Sequence, residues 1–169
     1  TTITVNTVVD DLTNNGNCSL REAIRAANTN VLVDTCLGGS AINADIIVLQ
    51  NGVTYGLSRA GADDTGISGD LDITDDLILI GNGSTIDANG STTLDRVFHV
   101  LAGQVVDISN LTVMDGRTTG FGAGIRSAGA LTLSAVTVRN NVSTGNGGGG
   151  IAVEAGTLTL IDSDVSNNQ

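Results

Sequence analysis

Proline, lysine and tryptophan are absent from the 169-residue chain, and its aromatic residues are one Tyr and two Phe. An aromatic-lined pocket is therefore not expected, the core has to be aliphatic, and the turns have to run on Asn, Asp and the 23 Gly. Positive charge is scarce as well: seven Arg stand against 18 acidic residues, a net charge of -11. A polyanion such as DNA or an anionic membrane face would be repelled, so nucleic acid is not expected as a partner. No apolar run approaches the roughly 20 residues of a membrane span, so no membrane span is expected. Thr1 is neither an initiator Met nor the start of a signal peptide, and the chain reads as already processed. The length is that of one ordinary domain.

Histidine occurs once and cysteine twice, without a CxxC spacing, so zinc has too few ligands and is not expected. Cys18 and Cys36 are expected to form a disulfide, because the acidic, Asn/Thr/Gly-rich composition suits an extracellular or cell-surface location where such bonds persist. The alternative is two buried thiols.

What the chain does have is an internal repeat. Gly103, Gly129 and Gly156 stand 26 and 27 residues apart, each opening an alternating stretch: Val106-Asp107-Ile108, Leu131-Thr132-Leu133 and Leu158-Thr159-Leu160. A second strand follows in register at Leu111-Thr112-Val113, Val136-Thr137-Val138 and Ser163-Asp164-Val165, with Thr85-Ile86 an earlier copy. Three residues beyond these lie Asn89, Gly116, Asn141 and Asn168, residue types that tolerate a left-handed backbone, so this column reads as a stacked turn. A third strand begins at Phe98, Ile125 and Ile151. The pattern predicts an all-β solenoid: a parallel β-helix with three strands per coil, right-handed by the general rule for parallel crossovers. Residues 46-169 are expected to form its coils, with Ile47 to Leu49, Val53 to Tyr55 and Leu71 to Ile73 as an early turn and Arg59 to Asp70 as a loop leaving it.

Residues 1-45 read differently. Ser19 and Glu22 have capping-box spacing, and Leu20, Ala23, Ile24 and Ala27 fall on one face of a helix that is expected to plug the open end of the solenoid. Thr2 to Val9 is expected to be a strand feeding this cap. At the other end, the chain stops before the third strand of its last turn. The expected open coil would be completed by a longer solenoid or by another chain, with the strand at Thr2 to Thr7 as a candidate for head-to-tail self-association.

Cys18-Ser19-Leu20-Arg21-Glu22-Ala23-Ile24, with Ala26-Ala27-Asn28 after it, resembles the CSLREA motif at the amino end of a family of secreted bacterial and archaeal right-handed β-helix proteins. Thr65-Gly66, Gly69-Asp70-Leu71-Asp72-Ile73, Asp95-Arg96-Val97-Phe98-His99-Val100 and the Gly-Gly-x-Ile and x-x-Asn elements are similar to repeats of polymorphic outer-membrane proteins. Val113, Val138 and Val165 depart from the Phe usual in those repeats. The resemblance spans nearly the whole chain and implies export and a structural or adhesive role, with no catalytic residue carried over.

Asp63, Asp64, Asp70 and Asp72, followed by Asp75 and Asp76, crowd one region, and alternation puts Asp70 and Asp72 on an outward face where calcium could gather oxygen ligands; the alternative is a solvated loop, and no other cofactor is expected. Asp107, Asp115 and Arg139 are scattered candidates for acid/base work on a polysaccharide, with Tyr55, Phe98 and Phe121 as the only possible sugar-stacking rings. His99 is expected on the outer surface. Threonines at 112 and 137, and at 132 and 159, form outward columns that Asp107 and Asp164 cut short, which speaks against an ice-binding face. The expected function is a non-enzymatic extracellular structural protein, a β-helix stalk, adhesin or self-assembling fibre subunit. A carbohydrate-active β-helix enzyme (lyase or hydrolase) or a carbohydrate-binding module is the alternative.

Overall fold

A computed structural model of the chain describes residues 1–145 and 147–169. In chain order its elements are β1 (Thr2–Thr4), α1 (Leu20–Thr29), β2 (Asp45–Val48), β3 (Thr54–Gly56), β4 (Leu71–Ile73) and β5 (Leu77–Asp87). After them come α2 (Gly90–Thr93), β6 (Phe98–Val100), β7 (Val105–Met114), β8 (Arg117–Thr118), β9 (Ile125–Ser127) and β10 (Ala130–Arg139). The last four are β11 (Val142–Ser143), β12 (Ile151–Val153), β13 (Thr157–Ile161) and β14 (Asp164–Ser166). One sheet runs β1-β2-β5-β7-β10-β13, with β3 on β5 and β14 on β10; a second runs β12-β9-β6-β4; a third pairs β11 with β8. Every strand pair is parallel. The fold is a parallel β-solenoid of about four turns.

Register follows from alternation, because a slip of one residue would turn every inward side chain out. Ile3, Ile47, Leu79, Ile108, Leu133 and Leu160 stack as one ladder, and Tyr55, Ile86, Val113, Val138 and Val165 as another. On the second sheet Leu71, Phe98, Ile125 and Ile151 do the same. All members but the last of each ladder are fully or almost fully buried, and each such side chain contributes about 1.5–3 kcal/mol.

The first two strands of each coil, separate in the sequence reading, are continuous in β5, β7 and β10. Each bends where the backbone turns left-handed: at Asn82 and Gly83 in β5, at Asn110 in β7 and at Ala135 in β10. In the last turn the same bend, at Asp162, separates β13 from β14.

The turn after these strands is also displaced from expectation. Asn89 is left-handed, but in the later turns the left-handed residues are Asp115, Asn140 and Asn167, one position before Gly116, Asn141 and Asn168. The asparagines at 141 and 168 serve through their side chains instead. Asn168 Nδ2 donates to the Val138 carbonyl (2.9 Å), and its Oδ1 accepts from the Asn141 amide (3.0 Å). One turn earlier Asn141 Nδ2 donates to the Val113 carbonyl (3.3 Å), and its Oδ1 accepts from the Gly116 amide (2.9 Å). The column is a side-chain ladder that satisfies backbone groups the turn leaves unpaired. Gly116 ends it because a Cβ there would collide with the Ala123 carbonyl.

At the amino end α1 forms the expected capping box: the Ser19 amide donates to Glu22 Oε2 (2.9 Å) and the Glu22 amide to Ser19 Oγ (3.1 Å). The helix is buried on more than the expected face, since Arg21, Glu22 and Ala26 are enclosed along with Leu20, Ala23, Ile24 and Ala27. Arg21 pairs with Asp10 (2.6 Å) and donates to the carbonyls of Gly66, Gly69 and Asp70. Asn28 meets the edge of β4, donating to the Asp72 carbonyl (2.8 Å) and accepting from the Thr74 amide (2.9 Å), as a neighbouring strand would. Cys18 and Cys36 form a buried disulfide with Cα atoms 4.9 Å apart, closing a loop that stabilises by about 3 kcal/mol in the chain-entropy account. β1 belongs to the main sheet, where it pairs with β2 and forms its edge.

Two predictions follow from the ladder and the cap. Asn141→Ala strands the Gly116 amide and the Val113 carbonyl, and is expected to cost about 2 kcal/mol or more in chemical denaturation, whereas Asn140→Gly, at a left-handed position, is expected to be nearly neutral. Burial raises the Glu22 carboxyl above its ordinary 4.5, with Asp11 and Asp34 adding to the rise and the Ser19 hydrogen bonds opposing it. A carboxyl raised by folding contributes its full stability below its unfolded pKa and loses it as pH climbs through the folded value. Glu22→Gln keeps an acceptor for Ser19 and does not ionise, so its melting temperature is expected to gain on that of the wild type between pH 4 and pH 7. Parallel melting profiles would contradict this assignment.

Candidate functional site

The loop from Arg59 to Asp70 lies between β3 and β4 and folds back onto the second sheet, where the Gly66 amide donates to Asp72 Oδ2 (2.8 Å). Asp70 and Asp72 are on the outward side of the coil, opposite the inward Leu71 and Ile73, but both are fully buried. His99, expected on the surface, is 7% exposed for the same reason. Strand alternation assigns a side of the coil, and a loop returning over that side decides whether water reaches it.

Asp63 organises the loop. Its Oδ1 accepts from the Thr65 amide and hydroxyl and the Ile67 amide, and its Oδ2 from the Ser68 amide and hydroxyl. Partial burial pushes this carboxyl up, but the hydrogen bonds from Ser68, Thr65 and Ile67 outweigh it and hold the group well below the usual carboxylate range. Asp63 is thereby engaged within its own loop. Asp70 is held at 2.8 Å by Arg96, which also lies 3.7 Å from Asp95. Burial, together with Asp95 and Asp72 beside it, pushes Asp70 up to about 8 despite the guanidinium. Its Oδ1 has no hydrogen-bond partner.

Of the four aspartates read as candidate calcium ligands, the structure brings Asp64 and Asp72 together and leaves Asp63 and Asp70 outside that group. Asp64 Oδ1 lies 3.3 Å and Asp72 Oδ1 3.2 Å from Nδ1 of His99, and the three donor atoms fall within 4.8 Å of one another. A groove of about 360 Å³ runs beside them, lined in part by Asp64, Asp95, Arg96, Thr118 and Arg126. Arg126 is paired with Glu154 at 2.7 Å, a contact that raises the guanidinium further above its ordinary value. A second groove, of about 310 Å³, is lined by Asp87, Asp115 and Arg117 among others. Burial raises Asp115 there, and Asp87 adds to the rise against Arg139.

Of the scattered acid/base candidates, Asp107 lies in the first half of β7, away from Asp115 beyond its far end, whereas Arg139, the register partner of Met114, comes near Asp115. Phe98 is buried, as expected of its inward column. Tyr55 is buried too, its hydroxyl accepting from the Gln50 amide at 2.9 Å, which leaves Phe121 as the exposed ring. Asn141, one of several Asn-x-Ser/Thr sequences in the chain, is fully buried and unsuited to carry a glycan.

His99, Arg126 and Glu154 did not emerge from the sequence as site residues. A signal for two of them was present: Asp72, His99 and Arg126 are register partners on successive strands, one position after the inward Leu71, Phe98 and Ile125. The fold places the chain in the class of parallel β-solenoids. Comparison with protein-family models, with curated proteins and with solved structures finds no match for it.

Asp63→Ala removes the acceptor for the loop's internal donors. Trypsin is expected to cut after Arg59, the one basic residue of the loop, faster than in the wild type while the circular dichroism of the solenoid is unchanged. Equal cutting rates would show that Asp63 does not hold the loop.

Proposed function

We propose that the protein is a non-enzymatic structural element of the extracellular space, a β-solenoid subunit that stacks on further copies of itself head to tail. The supporting observation is the character of its two ends. Among the described residues the main sheet runs from β1 to β13 and β14, and these outer strands pair on one side. Among the described residues, ten of the fourteen large exposed apolar side chains lie at these ends. Val8, Val9, Val31, Leu32, Leu37 and Ile42 belong to the cap segment, and Val153, Leu160, Ile161 and Val165 to the last coil. Leu160 and Val165, the final rungs of two inward ladders, are 46% and 42% exposed.

A contact between these unlike surfaces is heterologous and propagates as an open filament. The outer strand edges would then add to one another as in β-augmentation. The disulfide supports an oxidising location, and no helix is long and apolar enough to cross a membrane. The competing reading, a carbohydrate-active enzyme or binding module, is less well supported because two of the three aromatic rings are buried.

Sedimentation velocity and negative-stain microscopy test the proposal. Concentration-dependent association into filaments is expected, and Leu160→Asp combined with Val165→Asp is expected to abolish it while the melting of the remaining coils is retained. A wild-type chain that stays monomeric at millimolar concentration would overturn the proposal.

A further inference from the structure

We propose that Asp64, Asp72 and His99 form a binding site for a first-row divalent transition ion, zinc or a neighbour of it, which fastens the loop of residues 59–70 to the coil. The three side chains come from the loop, from β4 and from β6, and their donor atoms converge. Nδ1 of His99 lies 3.2 Å from Asp72 Oδ1 and 3.3 Å from Asp64 Oδ1. Around an ion with bonds of about 2.0–2.1 Å, neighbouring donors of a tetrahedron stand about 3.3–3.4 Å apart. The two imidazole-carboxylate spacings match that value, and all three donor atoms lie within 4.8 Å of one another.

One imidazole nitrogen cannot serve both carboxylates through hydrogen bonds. Nδ1 carries at most one hydrogen, and that hydrogen points well at only one of two carboxylate oxygens. Asp72 is fully buried and its Oδ2 is already taken by the Gly66 amide. The imidazole hydrogen bond to the buried Asp72 Oδ1, at 3.2 Å, leaves Asp64 Oδ1 facing the same nitrogen at 3.3 Å with no ring hydrogen for it. A cation bound by all three atoms would engage both carboxylates at once. An imidazole donor favours a transition ion over calcium, whose shell is built from oxygen.

Counting His and Cys alone leaves zinc short of ligands, and the two carboxylates make up part of the difference. The nearby guanidinium groups do not stand against the ion uncompensated, since Arg96 pairs with Asp70 and Asp95, and Arg126 with Glu154. Asp72 and His99 are register partners on adjacent strands, so the backbone fixes their separation. Asp64 follows Asp63, whose hydrogen bonds brace the loop. Asp64 is 74% exposed at its side chain, which leaves the remaining coordination positions to water.

The test uses the full chain without an affinity tag, stripped with chelator and dialysed. Zinc chloride is titrated calorimetrically, and cobalt(II) is added as an optical probe. One zinc per chain is expected, together with a shift of the single imidazole in the nitrogen-15 NMR spectrum, unambiguous because the chain has one His. Cutting by trypsin after Arg59 is expected to slow on zinc addition. Asp64→Asn, at an exposed position that the fold tolerates, is expected to weaken zinc binding roughly tenfold or more, and His99→Gln to abolish it. Absence of stoichiometric uptake of zinc and cobalt, unchanged affinity in Asp64→Asn, or uptake of calcium in place of zinc would each overturn the proposal.

Discussion

In a parallel solenoid the backbone of one turn is hydrogen-bonded by the turns above and below it, and those bonds form only if the turns stay in register. The inward ladders enforce that register, because an offset of one residue would bury Thr, Asp and Arg in place of Leu, Ile and Val. Much of the composition follows from this constraint. Proline would remove a ladder donor in every strand but an edge. Large rings would disturb the stacking of identical positions, and Phe98 and Tyr55 are the two rings admitted among the aliphatic columns. Asparagine and aspartate hold most of the bends, where the same left-handed conformation recurs turn after turn.

The same constraint bears on the turn under the cap, where β4 has a neighbouring strand on one side only. At the amino end, side chains replace the missing strand. Asn28 offers a donor and an acceptor to the β4 edge as an adjacent backbone would, and the Arg21 guanidinium collects three loop carbonyls while Asp10 balances its charge. The Cys18 to Asn28 segment therefore reads as a device for closing a solenoid: a disulfide, a capping box, a buried guanidinium and an amide that imitates a strand.

Legibility in the sequence followed the ladders. Columns such as Ile108 with Leu133 and Phe98 with Ile125 could be read because every turn repeats a residue of the same character at the same step. The left-handed bend inside each long strand was hidden by its occupants, Asn110, Ala135 and Asp162, which share a conformation without sharing a residue type. Alanine at φ 54 was especially opaque, because nothing about Ala signals a conformation that disfavours it by roughly 1–2 kcal/mol. At the left-handed turn the asparagine column was real but its role was misassigned: Asn141 and Asn168 stand where a side-chain amide reaches two turns, and the strained residue is the one before each. The burial of Asp70, Asp72 and His99 was illegible for another reason, since it depends on where a loop of irregular sequence comes to rest.

The candidate site shows how such a fold can acquire chemistry. Residues about 27 positions apart become neighbours along a column, so Asp72, His99 and Arg126 stand in line although no local motif contains them. On the first sheet the same arrangement stacks Thr54, Thr85, Thr112 and Thr137 before Asp164 interrupts the series, and there the column remains a partly exposed polar flank. The loop makes the difference. Where residues 59–70 fold back, an outward column loses its water, its carboxyls shift or pair, and charged groups are pressed into contact. A solenoid thus supplies aligned side chains cheaply on every face, and an insertion that covers one face turns alignment into a site.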